Sequence, residues 1–198
     1  MSRYDGTDRY TYPGTDVLIN KPGITDLPSL EAFEADATAV RMFELLQGPA
    51  TGVFNVDHLR GIHRHLFQDV YDWAGEFRLV DISRGASRFA NFPLIEGYLL
   101  KCFERLNREA ALCGAKPDEF VSRLAFYMGE INAVHPFREG NGRVQRVFCS
   151  QLALNAGYFI DFESVDQKQM YAVMAASFNG DALPLTHLLN EITSIVES

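Results

Sequence analysis

Apolar residues return every three to four positions along most of this chain, the spacing of amphipathic helices. From Pro28 to Gln47 the series Leu30, Phe33, Ala37, Val40 and Phe43 predicts a first helix, with Gly48-Pro49 as its stop. Asp57 is the expected N-cap of a second helix that buries Leu59, Ile62, Leu66, Phe67 and Val70. Residues 77–95 break the rhythm. There, β-branched and aromatic residues flank Arg84-Gly85, as in a short β-hairpin. Helical spacing resumes after Pro93 through Tyr98, Cys102 and Leu106. It is strongest after Pro117, where Phe120, Leu124, Tyr127, Met128, Ile131 and Val134 share one face. A further helix is expected from Gly142 to Ala156, with Gly157 as its stop. Ser164-Val-Asp-Gln167 reads as a capping box opening another. A last helix uses Leu185, Leu188, Leu189, Ile192 and Val196. Residues 1–25, rich in Tyr, Gly, Asp, Thr and Pro, read as an irregular lead-in. The expected fold class is therefore mainly α, a helical bundle with one hairpin, and neither repeats nor a linker divide it.

Composition narrows the partners. At 198 residues with 47% hydrophobic and 22% charged side chains, the chain can bury a core without disulfides or metal staples. The formal charge of −8 argues against nucleic acid as a partner, while leaving room for a local basic pocket. Cys102, Cys113 and Cys149 form no CxxC or zinc spacing and read as reduced thiols. No apolar run approaches the ~18 residues of a membrane span, and MSRYDGTDRYTYPG lacks the apolar core of a signal peptide. A cytoplasmic protein without a membrane partner is the expectation.

One segment carries chemistry: His135-Pro-Phe-Arg-Glu-Gly-Asn-Gly-Arg-Val-Gln-Arg146. It joins two predicted helices, so it is a loop feeding a helix N-terminus, where free N–H groups and the dipole favour an anion. Gly140, Asn141 and Gly142 let backbone approach a phosphate, and Arg143 and Arg146 lie on one side of the first turns. Glu139 is a candidate Mg²⁺ ligand beside a polyphosphate, and His135 a base that titrates near neutral pH. Arginines in the first turns of a helix oppose its dipole unless an anion compensates, which favours a functional reading. Together these are the parts of a phosphoryl or nucleotidyl transfer site. His58, His63 and His65 offer no zinc spacing and read as partly buried or surface histidines, and Trp73 as a core anchor.

The segment resembles the motif of Fic domains, HxFx[D/E]GNGRxxR, at every specified position. Ile62-His-Arg-His-Leu-Phe-Gln-Asp-Val-Tyr-Asp-Trp-Ala-Gly75 with Arg78 is similar to that family's second helix and following turn. Ile82 to Glu96 falls where the family has its flap, and Gly180-Asp-Ala-Leu-Pro-Leu185 where its final core helix opens. The resemblance implies a Fic fold over residues 55–193, preceded by an extension of residues 1–54, with the hairpin as a flap over the site. It implies transfer of AMP from ATP, with Mg²⁺, to a Ser, Thr or Tyr hydroxyl of a target protein. His135 would be the base, Glu139 the metal ligand, and Gly140, Gly142 and the Asn141 side chain a cradle for the α- and β-phosphates. Arg143 and Arg146 would bind the outer phosphates. Flap residues Arg88, Phe89, Ala90 and Asn91, and more distantly Tyr171 and Asn179, would touch the nucleotide.

Many members hold an inhibitory glutamate in [S/T]xxxE[G/N]. Ser29-x-x-x-Phe33 lacks the acid, and Thr193-Ser-Ile-Val-Glu197-Ser198 lacks the closing Gly or Asn and reads as a frayed terminal helix. The resemblance is thus to the toxin-like subgroup inhibited by a separate small antitoxin, for which type II topoisomerases such as DNA gyrase are targets. The alternatives are another nucleotide donor, phosphate transfer as in the Doc branch, and an inactive peptide-binding module. Doc-like motifs carry lysine at the Gly142 position, and a silent module would have lost His135, Glu139 or an arginine.

Overall fold

In chain order, the described residues form α1 (Leu27–Gln47), α2 (Val56–Phe67), β1 (Ser83–Arg84), β2 (Ser87–Arg88), α3 (Ile95–Arg108), α4 (Pro117–Val134), α5 (Asn141–Asn155), β3 (Tyr158–Ile160), α6 (Gln167–Phe178), α7 (Leu183–Ile192) and β4 (Thr193–Ile195). These come from a computed structural model that describes residues 9–47, 53–85 and 87–196. The mainly α class and the single hairpin between α2 and α3 match the sequence reading. Gly48-Pro49 and the first residues of the lead-in lie outside the described residues.

The core forms where α4 and α5 pack on each other and on α2, α3 and α7. Phe120, Leu124 and Tyr127 of α4, Phe148 and Leu152 of α5, and Leu59 and Leu66 of α2 are fully enclosed. Aromatic pairs knit these helices together: Phe54 meets Phe148 edge-on at 5.6 Å, and Phe120 stacks on Tyr158 at 4.1 Å. The lead-in is pinned too, since Lys21 N–H donates to Val70 and the Tyr10 hydroxyl accepts from Leu79 N–H.

Several boundaries differ from expectation, each for a local reason. The N-cap of α2 is Asn55, whose side chain accepts from His58 N–H at 2.8 Å; Asp57 falls inside the first turn. The N-cap of α6 is Asp166, accepting from Gln169 N–H, while Ser164 ends a 3-10 turn capped by Asp161. The helix begins at Gln167, so the acid next to it caps the first turn and Ser164 stays in the preceding turn. In α3 the buried stripe is Ile95, Leu99, Cys102, Phe103 and Leu106, and Tyr98 faces outward to bond Glu130. The last helix ends at Ile192 rather than running through Val196. β-Branched Thr193 and Ile195 pair antiparallel with β3, in register Tyr158↔Ile195 and Ile160↔Thr193. Glu197, expected in a frayed helix, lies outside the described residues.

The largest correction concerns α1. Its apolar series predicted Val40 and Phe43 inside, yet they are 62% and 66% exposed. The enclosed positions are Leu30, Glu34 and Thr38, four apart, so two of the three inward residues are polar.

Candidate active site

The loop between α4 and α5 is the centre of the site. His135 is the C-cap of α4 in the left-handed region, φ 48°, with its N–H bonded to Ile131 O at 3.0 Å. Such a backbone costs on the order of 1–3 kcal/mol for a non-glycine residue and persists only where its surroundings enforce it. Arg78, fully buried, is one enforcer. Its Nε donates to His135 O at 2.9 Å, Nη1 to Val80 O, and Nη2 to Ala90 and Val134 O; its backbone N–H donates to Pro136 O. One guanidinium thus binds the turn to the flap.

The His135 ring is equally constrained. Nδ1 lies 3.2 Å from Asn132 O, and a carbonyl only accepts, so Nδ1 carries the proton and Nε2 the lone pair. One ring face stacks on Phe89 of the flap at 3.9 Å, and Phe89 meets Phe178 edge-on. Burial, aided by the charges of Arg78 and Arg84, pushes the imidazole down to about 3. The expectation of titration near neutrality is therefore corrected: burial holds the imidazole in its neutral form at physiological pH.

The motif loop is held from below. Phe137 is fully buried and stacks on His63 at 3.9 Å. His63 is itself enclosed, not partly exposed. Its Nδ1 accepts from Gly75 N–H, so its Nε2 donates to Glu139 O at 3.1 Å, and burial lowers it to about 3. Both ends of the Asn141 amide bond the Phe137 backbone, at 2.9 and 2.8 Å, so this side chain staples the loop rather than facing outward to a phosphate. Gly140, at φ +81°, caps α5, and a Cβ there would stand 2.1 Å from Phe67 Cζ.

The two arginines have different surroundings. Arg143 is paired with Glu34 of α1, donates to Thr38 Oγ1 at 3.0 Å and lies over the Phe67 ring. Arg146 makes no hydrogen bond or ion pair among the described residues. Burial and the neighbouring Arg143 charge lower its affinity for its proton. A half-buried cation without a counter-charge is a receptor for an anion.

These groups border a cavity of about 890 Å³. Phe89, His135, Glu139, Gly140, Asn141, Gly142, Arg143, Arg146 and Tyr171 all line it. Arg88, Ala90, Asn91 and Asn179 do not. Strand alternation explains the flap: Ser87 and Phe89 point inward, so Arg88 points to solvent. Ala90 spends its carbonyl on Arg78, and Asn179 caps α6. Sequence reasoning missed Arg84, whose guanidinium lies 4.7 Å from the Tyr171 ring centre, and Phe178; both line the cavity. It also missed Glu34, hidden in a helix read only for its apolar stripe.

Glu139 is the one carboxylate of the motif. Its Oε1 accepts from Gly140 N–H at 2.8 Å and its carboxylate borders the cavity. Among the described residues no cluster of three or more His, Cys, Asp or Glu suits a metal. A single carboxylate fits Mg²⁺ of the kind that accompanies a polyphosphate, for which Glu139 would be the ligand from this chain.

The family model described as Fic/DOC family matches residues 53–153. The chain is 45% identical over 183 residues to "Protein adenylyltransferase VbhT" of Bartonella schoenbuchensis, covering 92% of this chain but only 38% of that protein. It is 37% identical to "Probable protein adenylyltransferase Fic" of Escherichia coli K12, over 96% of this chain and 94% of that one. Among solved structures, the N-terminal Fic domain of a Bep effector of Bartonella quintana with bound ADP superposes with TM-score 0.91 at 30% identity, covering 95% of each chain. BepC of Bartonella tribocorum with bound AMPPNP gives 0.88 at 28% identity, covering 95% of this chain and 97% of that one.

Proposed function

The chain belongs to the Fic/DOC family, and from that premise we propose that it is a protein adenylyltransferase, moving AMP from ATP to a hydroxyl side chain of a target protein. The observation that carries this reading is the oriented His135 imidazole. Its Nδ1–H is committed to Asn132 O, so the lone pair is on Nε2, and the residue borders the same cavity as Glu139 and the α5 N-terminus.

Nε2 takes the proton of the attacking Ser, Thr or Tyr hydroxyl. The oxygen forms a bond to the α-phosphorus, the bond to the bridging oxygen breaks, and pyrophosphate leaves with that electron pair. The α5 N-terminus meets the phosphates with its dipole and amides. Arg146, the unpaired cation, meets the outer phosphates and stabilises the leaving group. Glu139 would hold Mg²⁺, which when bound neutralises charge between phosphates. Tyr171 and Arg84 flank the part of the cavity left for the base.

The finer assignments are part of the same reading. The same cavity is lined by Leu154, Phe159, Phe162 and Val165 with Asp161, Glu163 and Gln167 among them, a mixed apolar and polar surface of the kind an amphipathic inhibitory helix meets. We assign it to a separate antitoxin. The enzyme acts as a bacterial toxin in the cytoplasm, with a type II topoisomerase such as DNA gyrase as target. No helix of the described residues is long and apolar enough to cross a membrane.

The test is a paired incubation of protein, Mg²⁺ and cell lysate with ATP labelled at the α- or γ-phosphate. Label entering protein only from the α-position is expected. Label only from the γ-position would mean phosphate transfer and overturn the reading.

A further inference from the structure

We propose that Glu34, on α1 and outside the matched residues 53–153, is a positioning residue of the active site: it aims Arg143 at the outer phosphates. The proposal rests on reading the cavity as a nucleoside triphosphate site.

Glu34 is 5% exposed, on the enclosed face of a surface helix. Carboxylates are almost never so buried unless paired. Both of its oxygens are committed. Oε2 accepts from the Tyr71 hydroxyl, and Oε1 from Arg143 Nη2. Tyr71 is enclosed, and burial beside Glu34 raises its pKa well above the usual phenol range, so it stays a donor. Thr38, one turn on, donates to Glu34 O at 2.7 Å and accepts from Arg143 Nη1 at 3.0 Å. Arg143 is therefore gripped at both Nη atoms by one helix, and its flat face rests on Phe67 at 4.7 Å. Two of its five N–H donors are used in this grip, and the residue still borders the cavity.

A buried ion pair is a poor way to stabilise a fold, because desolvation offsets the attraction and apolar residues of similar size do as well. What the pair does supply is direction. Arg143 Nη2 also lies 3.8 Å from Glu139 Oε1. Without Glu34, the guanidinium would close onto Glu139, the carboxylate assigned to the metal. With Glu34 in place, Arg143 is held off Glu139 and kept at the cavity wall. The division of labour follows. Arg146 supplies the uncompensated charge, and Arg143 supplies fixed hydrogen-bond donors whose charge α1 has already balanced.

The test compares binding of ATP and AMP by calorimetry in wild type, Glu34→Ala and Glu34→Gln. AMP lacks the outer phosphates. Glu34→Ala is expected to weaken ATP binding roughly tenfold, the size of one charge-assisted hydrogen bond, and to leave AMP binding unchanged. Glu34→Gln keeps an acceptor for Arg143 and is expected to restore ATP binding. A role in stability alone would lower the melting temperature of both variants without separating ATP from AMP. Folded Glu34→Ala protein that binds ATP like wild type overturns the proposal, as does a folded Glu34→Gln that fails to rescue. Should Glu34→Ala not fold, Tyr71→Phe removes only the hydroxyl holding Oε2. It is expected to weaken ATP and not AMP, and equal effects on both would count against the proposal. Wild-type protein that binds neither nucleotide would instead refute the reading of the cavity.

Discussion

Replacing Gly140 by alanine adds one methyl group where two independent costs meet. The backbone sits at φ +81°, and the new Cβ would lie 2.1 Å from Cζ and 2.3 Å from Cε2 of Phe67. The left-handed backbone costs an L residue roughly 1–2 kcal/mol, and overpacking adds about 1–3 kcal/mol. Phe67 cannot retreat freely, because it is fully enclosed and stacked against His63 at 4.7 Å. The expected loss of stability is about 2–5 kcal/mol, a fall in melting temperature of roughly 4–20 °C for a chain of this length. Where the ring holds firm, the loop must shift instead and carry Glu139 and the α5 N-terminus with it, so transfer falls as well. Gly142→Ala is the control for stability alone: that residue is helical, and its Cβ would meet Arg146 Nη1 at an ordinary 3.5 Å. The assays are thermal denaturation and AMP transfer on both variants. Phe67→Leu in the Gly140→Ala background should recover part of the loss, a coupling visible in a double-mutant cycle. Unchanged melting and unchanged transfer in Gly140→Ala would refute the reasoning, as would an equal fall in melting temperature in Gly142→Ala.

His135→Ala is expected to abolish transfer while the circular dichroism spectrum and ATP binding persist; residual wild-type rates would remove the residue from the base role. Because His135 and His63 are both pushed down to about 3 when folded, the unfolded chain binds more protons between about pH 3 and 6.5. Stability should be fully present above pH 6.5 and fall with pH through that window, at about 1.4 kcal/mol per unit for each histidine, as urea titrations at several pH values will read. By the same cause kcat should show no break near pH 6.5 from His135, and such a break would contradict its burial. Arg146→Ala should raise KM for ATP at least tenfold, the loss of about 1.4 kcal/mol or more, with no comparable fall in melting temperature, since no partner among the described residues loses a contact. Arg78→Met should cost at least about 3 kcal/mol, because four carbonyls, two of them buried and two partly buried, lose their donor together; a stable variant would show that the flap is held some other way.

Much of this was legible in the chain. Apolar spacing placed the helices to within a few residues, since a 3.6-residue period needs no knowledge of what covers the face. A local cap moved one boundary, Asp166 over Ser164, but the larger errors came from distant partners: β3 for the strand at Thr193–Ile195, and Arg143 for the inward face of α1. The motif likewise announced itself, because the proposed anion site, one loop and one helix N-terminus, is contiguous in the chain.

By itself, then, the sequence determined the mainly α fold, the hairpin and the motif residues proposed to react, all of which depend on residues near one another in the chain. Tertiary structure decided what those groups are. It set the proton of His135 on Nδ1 and removed its titration from the neutral range, through Asn132, Phe89 and burial. It turned Asn141 into a loop staple and His63 into a bolt beneath Glu139. It also separated two arginines of equal appearance by bringing Glu34, more than a hundred residues away in sequence, against one of them. Charge and hydrogen-bond partners act over a few ångströms of space, and only the fold says which residues share that space.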